Sequence, residues 1–196
     1  MSYIGTTEIG KMFLGSVEID KAYLGDDLVF SGTPHVPVEH TVTFHPTSYD
    51  TTDYSWYSPA NLNYAYADSD SSQYATINDT RGSNAVTWIY YKFDTSSIPA
   101  NATDITVTCT AKALANGNSS AITNKQMQLY SGTTAKGSAA SVGTSATEKT
   151  VTAGTWTLAE LRDARIRLSV QRTTSSTTTN FYIRFYGATL TVKYTA

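Results

Sequence analysis

Apolar and polar residues alternate along most of this chain, in short runs that Gly, Pro, Asn and Ser residues interrupt. A period of two is that of a β-strand, because successive side chains of a strand point to opposite faces. The strongest run covers residues 85–94 and is rich in β-branched and aromatic residues. Further alternating runs lie at 41–44, 104–113, 125–130, 165–172, 180–186 and 188–194. The pattern therefore predicts about eight short strands.

One segment carries helical signals instead. Thr157 and Glu160 have the spacing of a capping box, in which each side chain binds the backbone amide of the other residue. Leu158 and Leu161 would then form one apolar side over about two turns. We expect a short helix that closes one end of the fold.

The first thirty residues contain one short sequence written three times. An aromatic residue, an aliphatic residue and Gly recur at a spacing of ten, and a second strand-like pair follows each copy. Because about ten residues cannot form a core alone, the copies must stack on one another, on other chains or on a large partner. The residues predicted to serve attachment or oligomerisation are Tyr3, Ile4, Ile9, Phe13, Leu14, Ile19, Tyr23, Leu24, Leu28 and Val29.

A segment with two prolines and a glycine follows the repeats and has no periodicity. Such a composition indicates an extended linker, so we expect a repeat segment at 1–32, a linker at 33–39 and a domain at 40–196. Many short strands, frequent turn residues and one helical turn predict an all-β domain. Its expected architecture is an antiparallel β-sandwich of jelly-roll type.

The third repeat and its flanks, residues 19–30, resemble the leader of many bacteriophage structural proteins. This copy departs from the other two, since Leu28 stands where they have Glu and Ser31 where Lys is expected. The resemblance implies a virion protein assembled in the host bacterial cytoplasm and attached to other virion proteins of the tail, baseplate or head. A homotrimer would let three copies of the repeat bury their apolar faces together.

A second resemblance begins at residues 91–100 and continues into the strand from Ile105. This stretch is similar to sandwich domains of surface and cell-wall proteins, and to carbohydrate-binding modules of the galactose-binding-like class. The resemblance implies a β-sandwich fold and a sugar ligand.

Composition narrows the classes of partner. Charged residues make up 15% of the chain and the net charge is -2, which argues against nucleic acid as a ligand. No apolar run approaches the ~18 residues that span a bilayer, so we expect no membrane insertion. The single cysteine, Cys109, is in phase with Ile105 and Val107 and is expected to be a small buried hydrophobe.

The strands at 85–94 and 180–186 suggest a binding surface. One face of each strand is apolar, and these core candidates are Ile89, Tyr91, Phe93, Phe181, Ile183 and Phe185. The opposite faces carry Trp88, Tyr90, Lys92, Tyr182, Arg184 and Tyr186. If that side is open, it is an aromatic platform with two cations, which suits host-surface or mucosal glycans. Alternatively, its rings pack under residues 48–78 or against a neighbouring subunit.

A second group of aromatic residues lies within 48–78, where we expect short edge strands and loops. Its members are Tyr49, Tyr54, Trp56, Tyr57, Tyr64 and Tyr66. Tyr among Ser, Asn and Gly is the composition of adaptable recognition loops, so Trp56 and Tyr57 join the candidate glycan contacts. A lid over the sheet is the alternative.

Catalytic and metal motifs are weak in this sequence. Residues 68–72 resemble the start of a calcium loop, but Gln73 and Asp79 replace the Gly and Glu that the loop requires. His35, His40 and His45 lie in or beside the linker without a nucleophile or acid motif. We therefore expect a non-enzymatic adhesion or decoration protein without a metal or cofactor. A polysaccharide depolymerase and a purely structural decoration are the alternatives.

Overall fold

The chain forms two compact units, Met1–Val38 and Glu39–Ala196. Their boundary falls at the end of the predicted linker. The computed structural model describes residues 2–4, 7–9, 12–14, 17–19, 21–24, 27–31, 37–50, 57–68, 72–79, 86–116, 122–172 and 181–196. Almost all of the described elements are antiparallel strands, as the alternating pattern predicts.

The first unit consists of three β-hairpins, one for each repeat. Their strands are β1 Ser2–Ile4, β2 Thr7–Ile9, β3 Met12–Leu14, β4 Val17–Ile19, β5 Lys21–Leu24 and β6 Asp27–Ser31. Equivalent positions pair in each hairpin: Tyr3 lies opposite Glu8, Phe13 opposite Glu18 and Tyr23 opposite Leu28. The repeat in sequence is therefore a repeat in structure. The third hairpin differs by a register shift between Ala22 and Tyr23.

The hairpins of the first unit expose apolar surface. Leu14 is 77% exposed, whereas Ile19 is half-buried. Two-stranded hairpins are marginal in water by themselves, so such a unit gains stability from further contacts. The side chains of the other predicted attachment residues lie outside the described part: Tyr3, Ile4, Ile9, Phe13, Tyr23, Leu24, Leu28 and Val29.

The second unit is a sandwich of two antiparallel sheets. Its strands are β7 Glu39–Phe44, β8 Pro46–Asp50, β9 Tyr57–Ala60, β10 Ala75–Asp79, β11 Val86–Phe93, β12 Thr103–Asn116, β13 Ile122–Ser131, β14 Thr134–Ser141, β15 Thr147–Thr155, β16 Ala164–Arg172 and β17 Phe181–Thr195. The six-stranded sheet has the order β15-β12-β17-β10-β9, with β7 also paired to β17. The five-stranded sheet has the order β14-β13-β16-β11-β8. The predicted β-sandwich is confirmed.

Nested strand pairs give the sandwich the jelly-roll topology. The pairs are β13 with β14, β12 with β15, β11 with β16, and β10 with β17. Successive pairs belong alternately to the five-stranded and the six-stranded sheet. The chain is thus one long hairpin of strands rolled into two layers, as a jelly roll requires.

Alternating side chains of both sheets fill the core between them. Ile89, Tyr91 and Phe93 are buried, as predicted, and the Tyr91 ring centroid lies 4.9 Å from that of Phe185. Ile183 is also buried, whereas the side chain of Phe181 lies outside the described residues. Cys109 is fully buried in this core, and burial raises the pKa of its thiol. Its predicted role as a small hydrophobe is therefore confirmed.

Two features of the strands differ from the sequence prediction. The runs at 180–186 and 188–194 form one strand, β17, because a bulge at Gly187 bends the strand without ending it. Strands β14 and β15 lie at the sheet edges and were not predicted. Every residue of β14 is exposed or half-buried, so its sequence lacks an apolar face that alternation could reveal.

Gly187 lies where another segment crosses β17. Its φ is +136°, and a Cβ there would lie 2.3 Å from the carbonyl oxygen of Ala67 and 2.6 Å from that of Asp68. The backbone amide of Ala188 donates to the same Ala67 oxygen at 3.3 Å. His45 donates through Nδ1 to the carbonyl oxygen of Ala188, also at 3.3 Å. This close approach requires a residue without a side chain.

The predicted helix is present as a single turn, α1 Leu158–Leu161. Both bonds of the predicted capping box are formed: the Glu160 amide donates to Thr157 Oγ1 at 3.2 Å, and the Thr157 amide to Glu160 Oε2 at 2.8 Å. Leu161 is fully buried, and its carbonyl accepts a hydrogen bond from Thr95. The turn thus anchors the loop after β11 to the core.

Replacing Gly187 with Ala is expected to lower the free energy of unfolding by about 2 to 4 kcal/mol, because a side chain would collide with two carbonyl oxygens and the φ is unfavourable for an L-residue. Chemical denaturation would measure the loss. Gly143→Ala is the matched control, since a Cβ there meets nothing within 4 Å. Equal free energies of unfolding for the two variants would contradict the close approach of residues 67–68 to Gly187.

Acid is expected to weaken the fold partly through Glu160. Its hydrogen bond from Lys136, with further bonds from Thr157, lowers the pKa of this carboxyl from 4.5 to about 2. Its contribution to stability is thus complete above the unfolded pKa and is lost as the pH falls through about 2. Glu160→Gln should therefore reduce stability at neutral pH, and the difference from the parent chain should shrink below pH 4.5. Denaturation at several pH values would measure the difference in stability between Glu160→Gln and the parent chain, with Glu148→Gln as an exposed control. A difference that stays constant with pH would contradict the role of Glu160.

Candidate functional site

The six residues predicted to form one aromatic platform lie on two different surfaces. Strand β11 belongs to the five-stranded sheet and β17 to the six-stranded sheet. Because their buried residues face each other across the core, Trp88, Tyr90 and Lys92 point away from Tyr182, Arg184 and Tyr186. The predicted joint platform is therefore wrong. Alternation identifies which residues share a face of one strand, but it does not identify neighbouring strands.

The outer face of the five-stranded sheet covers the ring of Tyr90. Tyr90 is only 4% exposed although it points away from the core. Its ring centroid lies 4.9 Å from that of Trp88 and 5.3 Å from that of Tyr130. The guanidinium carbon of Arg165 lies 5.6 Å from the Tyr90 ring centre. These neighbours cover Tyr90, so its ring offers no open stacking surface.

Charges on this five-stranded face are largely paired. Asp50 Oδ2 lies 3.6 Å from Lys92 Nζ and 3.3 Å from Arg165 Nη1. Arg165 also binds Asp163 at 2.7 Å. Arg167 differs, since its guanidinium carbon lies 4.3 Å from the Tyr130 ring centre and its buried Nε has no hydrogen-bond partner. The face is thus a packed network of rings and ion pairs.

The outer face of the six-stranded sheet carries a more open group of side chains. Arg184 lies between two rings, with its guanidinium carbon 4.4 Å from the Tyr74 ring centre and 4.9 Å from that of Tyr182. The Tyr186 ring lies 5.3 Å from Tyr74 at an interplanar angle of 61°. Lys112 Nζ lies 5.0 Å from the centre of Tyr186. These five residues are all half-buried, and we call them the Tyr–Arg cluster.

Strand register explains how the Tyr–Arg cluster is assembled. Tyr182, Arg184 and Tyr186 alternate along β17 and therefore share its outer face. Lys112 belongs to β12, and its backbone lies opposite Gly187. Tyr74 directly precedes β10, which pairs with the same part of β17. The sequence analysis did not identify Tyr74 and Lys112, because only the strand pairing brings them to this face.

Arg184 lacks a compensating acid. Among the described residues, no carboxylate lies within ion-pair distance of its guanidinium, and its buried Nε has no hydrogen-bond partner. Lys112 likewise forms no ion pair within the described part of the chain, although Glu148 lies opposite it on the neighbouring strand β15. The cluster therefore combines half-buried tyrosine rings with two cations that form no ion pair within the described part of the chain.

The loop aromatic residues behave differently from one another. Tyr49 and Tyr66 pack toward the core, with ring centroids 6.3 Å apart, and Tyr49 lies 6.2 Å from Tyr91. Tyr64 is exposed. Trp56 and Tyr54 lie outside the described residues, and so does the side chain of Tyr57. Tyr49 and Tyr66 thus cover the core, as the lid alternative expected.

The described residues contain no group of three or more His, Cys, Asp or Glu side chains that could hold a metal. His40 stacks on Tyr194 with ring centroids 5.1 Å apart, and His45 bonds Ala188. His35 and part of the segment that resembles a calcium loop, residues 69–71, lie outside the described part. Within that part, no helix is long and apolar enough to cross a membrane.

In comparison with known proteins, no protein-family model matches the chain and no curated protein matches its sequence. Function is therefore inferred from the chemistry of the Tyr–Arg cluster and of the repeat unit.

Proposed function

We propose that the second unit is a non-enzymatic glycan-binding domain and that the Tyr–Arg cluster is its binding surface. The observation that carries this proposal is the row of Tyr182, Arg184 and Tyr186, half-exposed on one sheet face. Tyrosine rings stack on the apolar face of a sugar, while fixed donors read its hydroxyl groups. Alternate residues of a strand lie about 6.7 Å apart, so the row can contact an extended chain at several points.

The five-stranded face supports this function less well. Tyr90 is covered by its neighbours, and Lys92 and Arg165 share Asp50. A glycan on this face could stack on the half-exposed ring of Trp88, but the charged groups beside that ring are already paired. The glycan contacts are therefore assigned to the six-stranded face, and Trp88 serves as a comparison residue.

We propose further that the first unit attaches the domain to a bacteriophage virion. Three facts support this role: the unit repeats one hairpin three times, it exposes Leu14, and residues 19–30 resemble the leader of phage structural proteins. Repeated short hairpins need an external surface to bury their apolar residues. Other virion proteins or two further copies of the chain would supply that surface. Display in many copies would raise the avidity of weak single sites.

Substituting a tyrosine of the cluster is expected to weaken glycan binding about fivefold, because one aromatic contact contributes on the order of 1 kcal/mol. Tyr182→Ala and Tyr186→Ala would be compared with the parent chain on a glycan array, followed by titration of the best ligand. Trp88→Ala, on the opposite sheet, is the control and should bind normally. Binding lost only in Trp88→Ala would move the site to the other face. Release of shorter sugars from the ligand would indicate a depolymerase.

Removing the first unit is expected to abolish self-association. Light scattering should find a trimer for the full chain and a monomer for a chain that starts at Glu39, because the three hairpins and the exposed Leu14 are removed. A truncated chain that remains trimeric would contradict the role of the repeats in oligomerisation. A monomeric full chain would contradict the trimer and favour docking on another virion protein.

A further inference from the structure

We infer that the glycan bound by the Tyr–Arg cluster is acidic, and that Arg184 and Lys112 hold its carboxylate groups. This inference rests on the proposed glycan-binding function and specifies its ligand class. It does not follow from stacking chemistry alone, since tyrosine rings accept neutral and acidic sugars alike. The evidence is that, among the described residues, neither cation of the cluster forms an ion pair.

Arg165 and Arg184, on opposite faces of the sandwich, differ in their charge partners, whereas Arg167 on the five-stranded face resembles Arg184. Arg165 on the five-stranded face binds both Asp50 and Asp163. Arg184 on the six-stranded face has rings on both sides and, among the described residues, no carboxylate within reach. A partly buried guanidinium without an acid is unfavourable unless a ligand or solvent completes its bonds. The ligand can therefore provide the carboxylate that would pair with the Arg184 guanidinium.

The setting of Arg184 suits a planar anion. The rings of Tyr74 and Tyr182 both lie against the guanidinium, so little side-chain freedom remains to be lost on binding. Because Nε is buried, a ligand would reach the terminal Nη1 and Nη2 groups. These two groups form a fork that matches the two oxygens of a carboxylate. A uronic or sialic acid residue presents that group beside a sugar ring that can stack on tyrosine.

Lys112 adds a second cation at the other end of the cluster. Its ammonium lies 5.0 Å from the Tyr186 ring centre, on the far side of the cluster from Tyr182. Glu148 is the nearest acid by register, yet it does not form an ion pair with Lys112. Two separated cations suit a polymer that repeats its acid groups.

The test compares an acidic oligosaccharide with its neutral counterpart on the full chain. Tetragalacturonate and the same tetrasaccharide with its carboxyl groups reduced would be titrated by calorimetry at low and high salt. Other matched acidic and neutral pairs, sulfated ones included, would be screened on an array. We expect the acidic member to bind at least tenfold more tightly, and the difference to shrink as salt screens the charges.

Arg184→Gln is expected to remove most of the preference for the acidic member, measured within the variant as the ratio of its affinities for the acidic and the neutral member. Arg167→Gln is the matched control, because Arg167 also lies over a tyrosine, also has a buried Nε without a partner, and is on the opposite face. It should retain the full preference. Lys112→Gln provides a second variant at a side chain with fewer packing contacts, in case Arg184→Gln does not fold.

Each outcome separates this inference from the function on which it rests. Equal binding of acidic and neutral members, lost in Tyr182→Ala, would overturn the acidic ligand and keep the glycan site. No binding to any pair would overturn both. Preference for sulfated over carboxylated sugars would support an anionic ligand and overturn the carboxylate as its charged group. A preference lost equally in Arg167→Gln and Arg184→Gln would overturn the assignment to this face.

Discussion

The pairing of β12 with β17 is the constraint on which the rest of the sandwich depends. These are long strands at the centre of the six-stranded sheet, and their inner residues form much of one wall of the core. Strand β17 has two partners on its other edge: β10 pairs with Phe181–Phe185 and β7 with Leu190–Thr195. The bulge at Gly187 lies between these two partners. One bend therefore allows a single strand to hold two others while residues 67–68 cross between them.

The candidate site inherits its geometry from the same arrangement. Tyr182 and Arg184 precede the bulge, where β17 is flanked by β10 on one side and β12 on the other, and Tyr186 is the extra residue of the bulge itself. Rigid paired strands therefore hold the cluster, with Tyr74 contributed from the residue just before β10. A site carried on strands keeps its side chains in place with little loss of entropy on binding. Arg165 on the five-stranded face has two acidic partners, whereas Arg184 on the six-stranded face has none among the described residues.

Local signals in the sequence predicted local structure well. The capping box of Thr157 and Glu160, the buried phase of Ile89, Tyr91 and Phe93, and the two strands of each repeat follow from spacing alone. The topology did not follow, since pairing between distant strands leaves no mark in the period of either strand. For this reason Trp88 and Arg184 were predicted on one face and lie on two. Strands β14 and β15 were not predicted, because edge strands rich in Ser, Thr and Ala show no alternation of apolar and polar residues.

The nested pairing also sets an order for folding during synthesis. Strands β13 and β14 are neighbours in sequence and can pair as soon as they leave the ribosome, whereas the hydrogen bond between His45 and Ala188 joins residues 143 positions apart. Contacts of such long range form late, because closing the loop between them costs entropy before any contact compensates for it. Tyr74 and Arg184 meet only in this last step. A nascent or partly folded chain therefore has no Tyr–Arg cluster, and the proposed binding surface exists only in the completed fold.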